Sequence, residues 1–175
     1  ACLFFFFRSF FFFFFFFALS IFPLPIYRCS NGVPVVNETC PSHNTPMCHS
    51  CLKSFTLSSD NTTCDPCASG KFGFSPGVCT NCTAGRYEDS KGSRACKECA
   101  RGQSQEQGGK TACSPCDMGT FANVTLLEQC YDCPKGYYVE YPGSASCFSC
   151  SPGKFAPVKR SLKCNDCPSG RLQRL

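Results

Sequence analysis

Cys133-Pro134-Lys135-Gly136-Tyr137-Tyr138, answered by Cys150-Ser151-Pro152-Gly153-Lys154-Phe155, decides the fold. Each stretch opens on the second half of a Cys-x-x-Cys pair. A glycine follows three residues later, and an aromatic two beyond that. The two stretches lie 17 residues apart, and the interval runs outward from them. First cysteines recur at Cys79, Cys96, Cys113, Cys130, Cys147 and Cys164, with second cysteines at Cys82, Cys99, Cys116, Cys133, Cys150 and Cys167. Cys48/Cys51 and Cys64/Cys67 precede them at slightly shorter spacing. A fixed period of this kind marks a repeat architecture, whose units bury their surfaces on one another.

The glycines after the pairs are Gly70, Gly85, Gly102, Gly119, Gly136, Gly153 and Gly170; the aromatics are Phe72, Tyr87, Phe121, Tyr138 and Phe155. Ser104 and Leu172 break the aromatic series, and Gln103 to Gln107 reads as one eroded loop, not a site. A further glycine stands four residues before the next pair at Gly92, Gly109 and Gly143. Glycine takes positive φ without steric cost, so the chain can turn sharply beside a disulfide. The aromatic is the one large apolar group of each unit and is expected to pack on the neighbouring disulfide and the next unit. No apolar period of 3.6 residues exists, so almost no helix is expected after residue 22. The predicted fold is small and disulfide-rich: an elongated tandem array of short irregular β loops with little regular secondary structure, preceded by an apolar N-terminal segment.

Composition agrees. Of 175 residues, 19 are cysteine and none is tryptophan. Cysteine at this density marks a disulfide scaffold made in an oxidising compartment. The 43% hydrophobic content includes cysteine and a tract holding 13 of the 19 phenylalanines. Beyond that tract the apolar residues are too scattered for a sizeable core. Net charge is +5 with signs interleaved. The basic C-terminal stretch (Lys154, Lys159, Arg160, Lys163, Arg171, Arg174) reads as solvated surface, with an anionic glycan or membrane surface as the other reading. Nothing suggests nucleic-acid stacking.

Spacing leaves the connectivity open. One scheme joins the second cysteine of each pair to the first of the next: Cys51–Cys64, Cys67–Cys79, Cys82–Cys96, Cys99–Cys113, Cys116–Cys130, Cys133–Cys147 and Cys150–Cys164. It closes one short loop per bond and is preferred. The competing scheme pairs first with first and second with second, and interlocks the loops. Two of Cys29, Cys40 and Cys48 should bond, without a choice between them. Cys167 opens a further unit whose partner is expected beyond Leu175.

Residues 1–20 read as a signal peptide. Arg8 precedes an unbroken run, Phe10 to Phe17, and small residues stand at Ala18 and Ser20. The run is short for a membrane span, and joining it to Phe4–Phe7 would bury Arg8 in lipid. An anchor and a misread gene start are the other readings. Asn37, Asn61, Asn81 and Asn123 each begin an N-glycosylation acceptor triplet, a second pointer to secretion.

The run Cys-x-x-Cys-x-x-Gly-x-(Phe/Tyr) resembles the ephrin-receptor-like cysteine-rich repeat over about residues 29–171. More loosely it is similar to the first loop of tumour-necrosis-factor receptor modules. The segment from Cys29-Ser30-Asn31-Gly32 through Cys64 looks more like a growth-factor-receptor or EGF-like unit. The expected organisation is therefore a signal at 1–20, a growth-factor-receptor-like unit at 21–63 and ephrin-receptor-like repeats over 64–175. The resemblance implies an extracellular stalk or ligand-binding region at the cell surface. Its partner would be a protein ligand or neighbouring surface proteins, with membrane attachment through a region beyond Leu175.

Other chemistries fit less well. Two Cys-x-x-Cys pairs can form a four-thiolate zinc site, but these pairs are closer together than the usual spacing and recur without a break. A thiol oxidoreductase needs one such pair at a helix start. His43 and His49 flank Cys48 and could be a base beside a thiol; two exposed loop histidines is the simpler reading. Glu88-Asp89 and Asp117 form no paired constellation. No catalytic residue, metal or cofactor is expected.

Overall fold

A computed structural model describes residues 29–35 and 47–168. Among them there is no helix. Short strands pair antiparallel in eight two-stranded sheets, each a hairpin or near-hairpin. The first joins β1 (Gly32–Pro34) to β2 (Cys48–Cys51). The second joins β3 (Phe55–Leu57) to β4 (Cys64–Pro66). The other six hairpins have strands of two residues each, from Lys71–Phe72 with Thr80–Asn81 to Lys154–Phe155 with Asn165–Asp166.

The disulfides run end to end. Cys51 bonds Cys64, Cys67 bonds Cys79, Cys82 bonds Cys96, and Cys99 bonds Cys113. Cys116 bonds Cys130, Cys133 bonds Cys147, and Cys150 bonds Cys164. We number the loops they close 1 to 7. An eighth bond, Cys29–Cys48, ties the N-terminal strands together, which answers the choice left open among Cys29, Cys40 and Cys48. Cys40 and the segment 1–20 lie outside the described residues, and Cys167 is unbonded among those described.

Each loop is built the same way. The glycine after the pair sits third in a four-residue turn, with φ between 73° and 85° in loops 2 to 7. In loop 5 the Thr120 N–H donates to Asp117 O across that turn at 3.0 Å. Positive φ at the third position is the type II signature, which explains the glycine. The turn starts the hairpin, and the disulfide locks its base.

Loop 1 follows this plan although its sequence hides it. Ser54 stands where the glycine stands elsewhere, with φ of 72°. Its N–H donates to Gly73 O at 3.0 Å and its carbonyl accepts from Cys67 N–H at 2.8 Å, matching the later glycines.

Loops are tied to their neighbours by backbone. Between loops 4 and 5, Gly102 N–H donates to Ala122 O (2.9 Å), Gln105 N–H to Leu127 O (3.1 Å) and Leu126 N–H to Cys99 O (3.1 Å). The same trio recurs at each junction from loops 2 and 3 to loops 6 and 7. Loops also approach their second neighbours closely. A Cβ on Gly102 would lie 2.1 Å from Gly143 O, two loops on. Gly70, Gly85 and Gly119 meet Gly109, Leu126 and Arg160 in the same manner, all backbone oxygens within 2.5 Å.

The most buried groups are smaller than the aromatics. The repeat aromatics are half-buried, and two of them pair with a ring across their own hairpins: Phe121 with Tyr131 at 5.8 Å, and Tyr138 with Phe148 at 6.0 Å. What is fully buried is the second cysteine (Cys67, Cys82, Cys99, Cys116, Cys133) and the residue after the aromatic (Ala122, Val139, Ala156). Across the hairpin, Phe72, Tyr87 and Phe155 face Thr80, Lys97 and Asn165 instead of a second ring. The backbone stacking closes over the smaller groups beneath.

Leu126 and Arg160 occupy the left-handed position that Gly92, Gly109 and Gly143 hold in other loops, with φ of 64° and 59°. A left-handed conformation costs a side-chain-bearing residue about 1–2 kcal/mol. Leu126→Gly is therefore expected to raise stability by about 1 kcal/mol, since the Leu126 side chain is exposed and little packing is lost. Slower hydrogen exchange of the Leu126 and Gly102 amides would register the gain.

Candidate functional site

The candidate residues among those described lie largely on the surface of the array. Of the acceptor asparagines, Asn61, Asn81 and Asn123 are exposed, and Asn37 lies outside the described residues. Asn61 stands on a built turn. Asp60 accepts hydrogen bonds from the Ser58 hydroxyl (2.6 Å), the Thr62 N–H (3.1 Å) and the Thr62 hydroxyl (2.8 Å). Those three donors, the Ser58 hydroxyl foremost, hold the Asp60 carboxyl down at about 2. Because the folded pKa lies below the unfolded one, this support is present above the ordinary carboxylate range and is lost as pH falls through about 2. A carboxyl carbon titration by NMR is expected to place the Asp60 midpoint at about 2. A midpoint near the ordinary value would show that the turn is not formed in solution.

His49 is exposed on β2, and the sulfurs of Cys48 and Cys51 beside it are both in disulfides. His43 lies outside the described residues. The Cys29, Cys48 and Cys64 sulfurs cluster within 4.8 Å, as members of two neighbouring disulfides over the side-chain-free Gly32.

Glu88 and Asp89 separate in the fold. Glu88 is buried, at the position held by Ala122 and Val139 elsewhere; it accepts from Ser90 N–H at 3.1 Å and lies 3.8 Å from Lys97 Nζ. Asp89 is exposed and paired with Lys97. Their hydrogen bond holds the Asp89 carboxyl below its usual range and the Lys97 ammonium above its own. This is a surface ion pair over a buried acceptor, and its residues serve the junction of the hairpin.

Two surface features were not read from the sequence. The first is a row of apolar side chains. Val124, Tyr141 and Val158 are 17 residues apart and stand at one position of loops 5, 6 and 7, exposed by 46%, 66% and 58%. Loops 3 and 4 carry Ser90 and Gln107 there. The period could have revealed this row, but no single loop announces it. The second is an open groove of about 1060 Å³ beside loops 4 and 5, with Lys159 and Arg160 of loop 7 on its rim.

Fold and surface together define a class: a disulfide-rich tandem-repeat protein with the covalent framework of an oxidising compartment. No protein-family model matches the chain, and no curated protein matches it.

Proposed function

We propose that this array is an extracellular, receptor-like region that binds or presents a protein ligand at the cell surface. The row Val124, Tyr141 and Val158 carries the reading. Large apolar side chains held in water on a rigid backbone are what protein interfaces use as anchors, and aromatic anchors dominate their energetics. The three backbone bonds at each junction fix the row before any partner arrives, so little ordering entropy opposes binding. The resemblance to ephrin-receptor-like repeats supports the same reading, as do the acceptor triplets at Asn61, Asn81 and Asn123.

A structural stalk or surface coat is the second reading. The uniform junction favours it, because identical ties from loop to loop make a spacer whose length scales with loop number.

The soluble array, fused to a fluorescent reporter and applied to intact cells of its natural source, separates them. Saturable, protease-sensitive binding is expected, weakened about tenfold or more in Tyr141→Ser/Val158→Ser. An exposed control change, Lys135→Ser, should leave it intact. A spacer would show no saturable binding at all.

A further inference from the structure

The groove of about 1060 Å³ opens at the one loop, among loops 2 to 7, that lacks the repeat's aromatic. Ser104 stands where Phe72, Tyr87, Phe121, Tyr138 and Phe155 stand elsewhere. Its cross-strand partner is Ser114, where the next loop pairs Phe121 with Tyr131. With both rings missing, the Ser104 hydroxyl lies 3.2 Å from Cys130 Sγ, and the Cys116–Cys130 disulfide lines an open floor. The sequence alone made Ser104 an eroded position. In the fold, the eroded position borders a concave site slightly larger than the usual range of ligand pockets, about 300–1,000 Å³.

The lining says what the groove would take. The lining includes Glu106, Asp117 and Asp132 together with Lys110, Lys159 and Arg160, three carboxylates and three cations. Arg160 Nε is already 3.7 Å from Asp132 Oδ1. A polyanion or polycation gains little from a balanced surface. Apart from the disulfide and a strand-edge proline, the apolar lining is one ring, Tyr131, far less apolar surface than the anchor pockets of protein interfaces offer. The remaining groups are hydroxyls and amides, among them Ser104, Ser114 and Gln129, which both donate and accept. The floor is firm: the Gln105 amide donates to Ala112 O at 2.8 Å and accepts from Gln107 N–H at 3.2 Å. Tyr131 is 49% exposed and braced by Phe121 at 5.8 Å, so it offers a fixed amphipathic face.

We infer that this groove binds a short neutral oligosaccharide. Such a ligand carries no net charge, presents donors and acceptors on every ring, and has a C–H face that stacks on an aromatic. The site is separate from the apolar row proposed for a protein ligand.

The repeat supplies its own test variant. Ser104→Phe restores the aromatic of the other loops, fills the groove and should leave the fold intact or more stable. The full chain is titrated by NMR or calorimetry with neutral trisaccharides built from glucose, mannose and N-acetylglucosamine, and with a sulfated heparin-type oligosaccharide. At least one neutral trisaccharide is expected to bind, with binding abolished in Ser104→Phe. Tyr131→Leu, which keeps an apolar contact to Phe121, should weaken it about tenfold, equivalent to about 1.4 kcal/mol. Phe74→Leu, at a ring exposed by 71% on loop 2, should change nothing. Three results would overturn the inference: no neutral trisaccharide binding at millimolar concentration, binding of the sulfated ligand alone, or neutral binding that survives Ser104→Phe. Cell-surface binding through the apolar row should persist in Ser104→Phe, so the two sites stand or fall separately.

Discussion

Alanine at Gly102 is expected to destabilise its part of the array by about 3 kcal/mol or more, whereas alanine at Gly136 should cost only about 1–2 kcal/mol. Both glycines have positive φ, 80° and 85°, so both substitutions carry the left-handed cost. They differ in what surrounds them. At Gly102 the new Cβ would sit 2.1 Å from the Gly143 carbonyl oxygen, and a backbone oxygen cannot swing aside as a side chain can. At Gly136 nothing lies within 4 Å. The difference between the two variants therefore isolates the contact between second-neighbour loops. The array is built from loops in series and need not unfold in one step. Native-state hydrogen exchange, read at the Ala122 and Gly143 amides, is the suitable measurement. Equal losses at the two sites would mean that loops two apart do not meet.

Cys116→Ser is the second large effect. The bond to Cys130 spans a sequence separation of 14, and closing a loop of that size is worth about 3 kcal/mol through the unfolded chain. Cys116 is also among the most buried groups, 1% exposed, and its backbone ties three loops together. Its N–H donates to Gly102 O at 2.8 Å, and its carbonyl accepts from Gly143 N–H at 2.8 Å. Removal should loosen loops 4 to 6 and leave the end loops protected, because each junction has its own bonds. Mass spectrometry after alkylation should find one new free thiol, at Cys130. Cys130 found oxidised to another native cysteine would contradict the pairing.

Much of this fold could be read from the residues. The period, the glycine after each pair and the lack of an apolar helical repeat together dictate a stack of stapled hairpins. The turn explains why glycine is there at Gly70, Gly85, Gly102 and Gly119. The second reason for those glycines was not legible, because the carbonyl that fills the space lies 39 or 41 residues away and two loops on. The core was hidden for a different cause. Gly73, Glu88, Gln105, Ala122, Val139 and Ala156 share a position but no chemistry, and what unites them is a backbone donor bonded to the next loop where the loop has a successor. Pattern reading follows side chains, so it chose the aromatics. Ser54, Leu126 and Arg160 show the same effect at left-handed positions, where a residue other than glycine masks the register.

The candidate surface was less legible than the framework. The apolar row appears only when loops 5, 6 and 7 are laid over one another. The groove arises from an absence, the missing ring at Ser104, whose meaning depends on what the neighbouring loops would otherwise cover. Single-site reasoning about His49 or Glu88-Asp89 had no way to weigh these. Their roles follow from disulfides and ion pairs set by hairpin geometry.

The covalent framework underlies every reading above, and non-reducing peptide mapping of the protein purified from a secretory host tests it most directly. Cleavage between the cysteines, with linked peptides sequenced by mass spectrometry, should recover Cys51–Cys64, Cys67–Cys79 and so on to Cys150–Cys164, with Cys29 joined to Cys48. Linkage of first cysteine to first cysteine, or free thiols accompanied by stoichiometric zinc in a folded chain, would contradict it.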